Sequence, residues 1–218
     1  MFFGWRVQAP DQKAGFEFPK MLKDQHVIGV LALQGAFEAH RGVFRRLGVS
    51  SVLVRTANEL EAVDALLLPG GESSAMLRLM EPQELFVRIR KRIDSGLPVL
   101  ATCAGVILLA KKVTPHQQSL GALDVDIERN AYGRQVFSSV EALHFSPQYQ
   151  GDNAGEAVFI RAPRVTRVGE GVETLAWRGD DPVLLRSPGI LAATFHPELG
   201  KGTVIHELFL REIERQGR

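Results

Sequence analysis

Three short stretches of the sequence carry residues whose types and spacing could perform nucleophilic catalysis. The single cysteine, Cys103, lies between an apolar run and an apolar helical segment and has small residues on both sides. This setting is typical of a nucleophile elbow, a sharp strand-to-helix turn that lifts the side chain above a sheet. A thiol at a helix N-terminus also lies at the positive end of the helix dipole, which favours the attacking thiolate. The alternative is an inert buried cysteine.

The second stretch is His196-Pro197-Glu198, which directly follows an apolar run over residues 190–195. The imidazole could take the proton of a thiol, and a carboxylate two residues later could orient the ring and stabilise its charged form. The alternative is a loop histidine beside a solvated glutamate.

The third stretch is Pro69-Gly70-Gly71-Glu72-Ser73-Ser74, again between an apolar run and a helical segment. Paired glycines allow backbone N–H groups to face a ligand. In acyl transfer, the N–H groups of Gly71 and Ala104 would together hold the oxyanion. The alternative is an ordinary turn in which Ser73 or Ser74 caps the helix.

Together the three stretches supply a nucleophile, a base with its orienting acid, and oxyanion donors. Each follows an apolar strand, and the carboxyl ends of parallel strands share one edge of a sheet. We therefore expect an amide hydrolase that works through a covalent acyl-enzyme, with Cys103, His196 and Glu198 as a triad and no metal. The other histidines lack a spacing that indicates a metal site or another base, and His40 is predicted to face solvent or a partner; they are His26, His40, His116, His144 and His206.

The elements needed to position these residues are visible as alternating apolar and amphipathic segments. Runs that are apolar on both faces, interleaved with helices, indicate a parallel sheet covered on both sides. Predicted strands are 27–33, 51–54, 65–68, 98–102 and 190–195; predicted helices are 36–47, 74–80, 83–93, 104–111 and 203–214. Short strands, some of them antiparallel, are predicted at 122–127, 157–160, 164–168, 174–178 and 183–185.

Composition limits the classes of protein that this chain can represent. Its 218 residues, 45% of them hydrophobic, can bury one core, and regular patterning begins only at Val27. We predict an irregular N-terminal extension over residues 1–25 and one domain over residues 26–218. A net charge of +1 provides no basic field for nucleic acid or membranes. One cysteine, no long apolar run and no secretion signal indicate a cytoplasmic protein.

The chain resembles a known family in several motifs from Val27 to the C-terminal helix. They are Gly29-Val30-Leu31-Ala32-Leu33-Gln34-Gly35, Pro69-Gly70-Gly71-Glu72-Ser73-Ser74, Thr102-Cys103-Ala104-Gly105, Glu128-Arg129-Asn130-Ala131-Tyr132-Gly133-Arg134-Gln135, Phe159-Ile160-Arg161-Ala162-Pro163 and Phe195-His196-Pro197-Glu198-Leu199. In combination they are similar to the class I glutamine amidotransferases, and among these to the glutaminase subunits of pyridoxal 5'-phosphate synthase.

The resemblance implies a flavodoxin-like, three-layer α/β fold with a mostly parallel central sheet and short antiparallel strands in the C-terminal half. It implies hydrolysis of L-glutamine to glutamate and ammonia without a cofactor, and delivery of the ammonia to a synthase subunit in a hetero-oligomeric complex. The substrate-binding residues that it implies are Gly71, Glu72, Ser73, Arg129, Ile160 and Arg161. An arginine suits the α-carboxylate of glutamine because its paired N–H donors can grip both oxygens, although each arginine alone could be a solvated surface charge.

Departures from the family pattern are modest. Ala101 stands where the elbow often has glycine, and residues 144–155 cannot be aligned. One alternative is a DJ-1-type enzyme, which commonly has a histidine directly after the nucleophile, where this chain has Ala104. Another is a catalytically silent glutaminase-like subunit that only binds a synthase.

Overall fold

The computed structural model describes residues 26–131, 139–146 and 156–216, and all strands, helices and contacts are those of these ranges. The predicted extension, residues 1–25, lies outside them. So do residues 132–135 of the motif that begins at Glu128, and most of the stretch that could not be aligned.

Strands and helices alternate through the first half of the chain, as predicted. The strands are β1 (Ile28–Leu31), β2 (Ser51–Val54), β3 (Ala65–Leu68), β4 (Val99–Thr102), β5 (Ala110–Thr114), β6 (Leu123–Glu128), β7 (Ser139–Ala142), β8 (His144–Phe145), β9 (Glu156–Phe159), β10 (Arg164–Val168), β11 (Glu173–Arg178), β12 (Asp181–Ser187) and β13 (Ile190–Ala193). The helices are α1 (Phe37–Arg46), α2 (Ala57–Glu61), α3 (Ser73–Met80), α4 (Leu85–Asp94), α5 (Ala104–Leu109) and α6 (Val204–Gln216), with 3₁₀ turns at Glu81–Gln83 and Pro197–Leu199.

The central sheet has eight strands in the order β2-β1-β3-β4-β13-β12-β11-β8. The strands from β2 to β13 in this order pair in parallel, whereas β12, β11 and β8 pair antiparallel. The parallel part, β2-β1-β3-β4-β13, follows the flavodoxin-like order. In this order the second strand lies on one side of the first strand, and the later strands lie on its other side. The predicted fold class is therefore confirmed.

Both faces of the sheet are covered, which explains why its central strands read as continuous apolar runs. Every residue of β1, β3, β4 and β13 is buried. Leu66 and Leu68 belong to the core cluster that contains residues of α3, α4 and α5. Leu67 belongs to the other cluster, which contains residues of α1 and α6. Alternate residues of each strand thus pack into two different cores, giving three layers.

Two small sheets complete the described part of the chain. One is ordered β10-β6-β5 and the other pairs β7 with β9. The strand β9 contacts the main body next to the site, because the backbone N–H of His196 donates to the carbonyl oxygen of Val158 at 2.8 Å.

Several boundaries differ from the sequence-based prediction. The helix predicted over 104–111 ends at Leu109, and Lys111 lies in β5, because the chain there turns to pair with β6. Helix α2 was not predicted, although Thr56 and Glu59 form a capping box that is readable in the sequence. Strands β5, β7 and β8 were also missed. None of the helices within the described ranges is long and apolar enough to cross a membrane.

Candidate active site

The three chemistry-bearing stretches meet because they follow three neighbouring parallel strands. In the sheet, β4 lies between β3 and β13. Gly70 follows β3, Cys103 follows β4 and His196 follows β13. The backbone N–H of Cys103 donates to the carbonyl oxygen of Ala193 at 2.8 Å, which ties two of these strand ends together.

Cys103 adopts the strained backbone of a nucleophile elbow. Its φ of 46° and ψ of −104° lie in a region that residues with a side chain rarely adopt, at a cost of about 1–3 kcal/mol. The next turn of α5 can approach β3 because residue 105 is glycine: a Cβ there would lie 2.3 Å from the carbonyl oxygen of Leu68. Cys103 is 6% exposed and lines the cleft, so it is screened from bulk water but reachable from the cleft.

His196 is held between Glu198 and Cys103. Its Nδ1 lies 2.7 Å from Oε1 of Glu198, whose side chain is completely buried. Burial by itself would lower the pKa of His196, but hydrogen bonding and negative charge from Cys103 and Glu198 outweigh it and raise that pKa to about 10. The geometry therefore favours an imidazolium next to the Cys103 sulfur, the partner that stabilises a thiolate.

Gly70 makes this closeness possible, although it was not predicted to be a site residue. A Cβ on Gly70 would lie 2.4 Å from Cε1 of His196 and 3.3 Å from Cβ of Cys103. A glycine after an apolar strand and before a helix was the available signal. The absence of a side chain leaves room for the imidazole over the loop.

The loop that would carry the oxyanion donor is fixed by a second loop after β1. Oε1 of Gln34 accepts a hydrogen bond from the backbone N–H of Glu72 at 2.7 Å. Ala36 N–H donates to the carbonyl oxygen of Gly70 at 3.0 Å. Gly35 has a φ of +96°, and a Cβ there would lie 1.9 Å from that same oxygen, so this contact requires glycine. Gln34 belongs to the motif that begins at Gly29, but it was not predicted as a site residue.

The predicted substrate-binding residues line one cleft together with Cys103 and His196. The lining residues are Gly71, Glu72, Ser73, Cys103, Ile107, Arg129, Asn130, Ile160, Arg161 and His196. Ala104, the other predicted oxyanion donor, is buried as the first residue of α5 and is absent from this lining. Ile107 and Asn130 also line the cleft and were missed by the sequence analysis.

Two of the lining residues also have structural partners. The carboxylate of Glu72 caps α3, accepting from the N–H of Ala75 at 2.9 Å, and lies 3.4 Å from Nη2 of Arg129. Its hydrogen bond from the Ser74 hydroxyl is the main cause that lowers the pKa of Glu72, so it is ionised at neutral pH. Ser73 donates its hydroxyl proton to Oε1 of Gln117 at 3.0 Å.

Backbone strain is concentrated around the cleft. Among the described residues other than glycine, positive φ values occur at Glu84, Cys103, Asn130 and Arg161. All but Glu84 line the cleft. Such strain is maintained only where surrounding structure enforces it, and it clusters at functional sites.

The prediction for His40 was wrong. Its side chain is completely buried, and its Nε2 lies 3.3 Å from Oε2 of Glu198. The ring lies on the apolar face of α1, three residues after Phe37 and four before Phe44, so helical spacing could have placed it inward.

Comparison with known proteins identifies the family. A family model described as the SNO glutamine amidotransferase family matches residues 30–215. This chain belongs to that family. The resemblance inferred from the motifs is confirmed.

Individual relatives of this amidotransferase agree with the family model. The chain is 47% identical over 189 residues to the pyridoxal 5'-phosphate synthase subunit PdxT of Thermosipho africanus (strain TCF52B), covering 86% of this chain and 99% of that protein. It is 49% identical over 187 residues to the protein of the same name from Koribacter versatilis (strain Ellin345), covering 85% and 95%. A solved structure described as a glutamine amidotransferase superimposes with a TM-score of 0.79 at 44% identity, covering 86% of this chain and 98% of that one.

Proposed function

We propose that this chain is the glutaminase subunit of a pyridoxal 5'-phosphate synthase, with residues 26–218 as its catalytic domain. It hydrolyses L-glutamine to L-glutamate and ammonia through Cys103, His196 and Glu198. The observation that carries the proposal is that one imidazole lies 2.7 Å from a buried carboxylate and lines the same cleft as the only thiol of the chain. Membership of a glutamine amidotransferase family supports glutamine as the substrate.

The reaction follows from the order of these groups. The Cys103 thiolate attacks the carboxamide carbon of glutamine, and N–H groups of Gly71 and Ala104 stabilise the resulting oxyanion. The His196 imidazolium gives its proton to the leaving nitrogen as the C–N bond breaks, which releases ammonia and leaves a glutamyl thioester. His196, now neutral, takes a proton from water; the resulting hydroxide attacks the thioester, the C–S bond breaks, and glutamate leaves the regenerated thiolate.

Selectivity for glutamine comes from the cleft lining. Arg129 and Arg161 bind the α-carboxylate through charge-assisted hydrogen bonds. Glu72, Ser73 and Ile160 complete the pocket, with Glu72 ionised and near Arg129. The hydrolysis described above uses neither a metal ion nor an organic cofactor.

The ammonia passes to a synthase subunit in a hetero-oligomeric complex in the cytoplasm. Support comes from the relatives, which are subunits of pyridoxal 5'-phosphate synthase and which this chain matches over nearly their full length. We further infer that docking of the synthase raises glutaminase activity by organising the loop around Gly71.

The decisive test is glutamate formation by the purified chain with and without its cognate synthase. We expect glutamate in the presence of the synthase, much less without it, and none from a Cys103→Ala variant with the synthase, because no other thiol is available. A His144→Gln variant, changed at an exposed histidine outside the cleft, is the matched control and should retain full activity.

Two results would count against the proposal. Unchanged ammonia release by Cys103→Ala would remove the thiol from the mechanism. A wild-type chain that binds the synthase but forms no glutamate would identify a silent binding subunit. A DJ-1-type activity has no support at the elbow, because Ala104 follows the nucleophile.

A further inference from the structure

Behind the proposed triad, a row of buried polar side chains extends into the helical layer formed by α1 and α6. Oε1 of Glu198 accepts from His196, but Oε2 has no hydrogen bond among the described residues. That second oxygen lies 3.3 Å from Nε2 of His40, and neither side chain is exposed. The same nitrogen of His40 lies 3.1 Å from the hydroxyl of Thr102, the residue before the nucleophile.

A second histidine stands behind the first. Nδ1 of His40, on α1, lies 2.9 Å from Nε2 of His206, on α6. The His206 ring is completely buried and meets the ring of Phe44 edge-on at 5.2 Å. Groups from α1, α6, β4 and the turn after β13 thus converge on the inner side of the carboxylate.

Both histidines are neutral at neutral pH. Burial lowers the pKa of His40 well below 6.5, and the charges of His206 and His196 lower it further. Burial also lowers the pKa of His206 to about 3, with a smaller effect from the nearby Arg46. Each neutral ring carries one N–H, so the position of each proton follows from the partners.

The nearby charge of Glu198 favours one arrangement of these protons. A proton on Nδ1 of His40 would leave the lone pair of Nε2 facing the Glu198 carboxylate, which is repulsive. A proton on Nε2 instead can donate to Thr102 and lies near the negative charge of Glu198, and Nδ1 then accepts the N–H of His206. In this arrangement the Nδ1 of His206 is an acceptor without a partner among the described residues.

We propose that His40, oriented by His206, is a positioning residue for the glutaminase reaction, because its Nε2–H holds the inner oxygen of Glu198 and thereby fixes the ring of His196 against Cys103. The inference rests on the proposed function. The 3.3 Å contact is electrostatic rather than a hydrogen bond, and its loss leaves a buried carboxylate oxygen without that neighbouring N–H, which costs free energy and favours rotation or protonation of the carboxylate. Either change weakens the support of the imidazolium in the transition state, so the effect falls on kcat rather than on glutamine binding.

The kinetic test compares His40→Leu with His40→Gln in the presence of the synthase. The leucine removes the donor, whereas the amide of glutamine can restore an N–H near the position of Nε2. We expect His40→Leu to lower kcat on the order of 10-fold or more, the scale for removing an outer partner of a functional histidine, with little change in KM. We expect His40→Gln to recover most of that loss.

The pH profile separates positioning from a merely structural role. The donor favours the charged carboxylate, so the acid limb of kcat against pH should move to higher pH in His40→Leu and return in His40→Gln. His144→Leu, at an exposed site, is the control for a histidine-to-leucine change. A folded His40→Leu with the kcat and profile of wild type would overturn the inference, whereas a wild-type complex that forms no glutamate would overturn the proposed function itself.

A measurement on the unmodified chain decides the matter if the leucine variant does not fold. In ¹⁵N-histidine NMR spectra of the full chain near neutral pH, we expect both His40 and His206 to carry their proton on Nε2. A proton on Nδ1 of His40 would place a lone pair against Glu198 and overturn the inference, whatever the activity of the complex.

Discussion

Gly70 is a residue whose missing side chain sets the geometry of its neighbours. The His196 ring occupies the space that a Cβ on Gly70 would need, and the Nδ1 of that ring is held by Glu198. The imidazole therefore cannot retreat without losing its hydrogen bond. Backbone space and side-chain orientation are coupled at this position.

We predict that Gly70→Ala lowers kcat for glutamine hydrolysis on the order of 100-fold, because a displacement of about 1 Å suffices for such a loss. The measurement is kcat in the complex with the synthase. Gly202→Ala is the matched control, since a Cβ there meets no atom within 4 Å. Unchanged turnover in Gly70→Ala would mean that the imidazole position matters less than its contacts indicate.

The sequence predicted the residues of the cleft better than the residues behind it. Cys103 and His196 follow strands that read as apolar runs, so topology alone brings them to one edge. His40 and His206 instead lie on the apolar faces of helices, where helical spacing can indicate burial but not the polar partner of the side chain. Their role depends on contacts between α1 and α6, which no local pattern encodes.

At the scale of the element, α5 shows how a short helix is fitted into the sheet. Its six residues are all buried. Gly105 lies against the backbone of β3, where an added methyl group would overlap with the carbonyl oxygen of Leu68. The start of α5 could be predicted from the elbow, but its end could not, because the apolar run continues into Ala110 and periodicity does not separate a buried helix from a buried strand.

We predict that Gly105→Ala destabilises the protein by about 1–3 kcal/mol, the cost of overpacking a well-packed interior. The free energy of unfolding in urea measures it. Gly42→Ala in α1 is the matched control: a Cβ there meets only Nη2 of Arg45, at 3.9 Å. Since alanine is the better helix former, this variant should be more stable by about 0.5–1 kcal/mol. Equal stabilities of the two variants would contradict the close approach of α5 to β3.

At the scale of the whole molecule, the buried histidines make the fold depend on pH in two opposite ways. The pKa of His196 is raised to about 10, so its contribution to stability is complete below 6.5 and is lost as the pH rises towards 10. The pKa of His206 is lowered to about 3, so the unfolded chain takes up that proton first when the pH falls below 6.5. His40 acts in the same direction as His206. Stability should therefore decrease on both sides of the neutral range.

The acid side of this dependence can be assigned to His206 by a substitution that removes its titration. We predict that His206→Gln, which keeps an N–H for His40, reduces the acid slope of the unfolding free energy by about 1.4 kcal/mol per pH unit between pH 6 and 4. Carboxylates such as Glu72 and Glu141, whose pKa values are lowered mainly by hydrogen bonds from Ser74 and Arg178, add an acid loss that is common to both proteins and cancels in the difference. Urea titrations at several pH values provide the slopes, and the exposed His144→Gln should follow wild type. Parallel curves for His206→Gln and wild type would mean that His206 is protonated as readily in the folded chain as in the unfolded one, which its burial between α1 and α6 opposes.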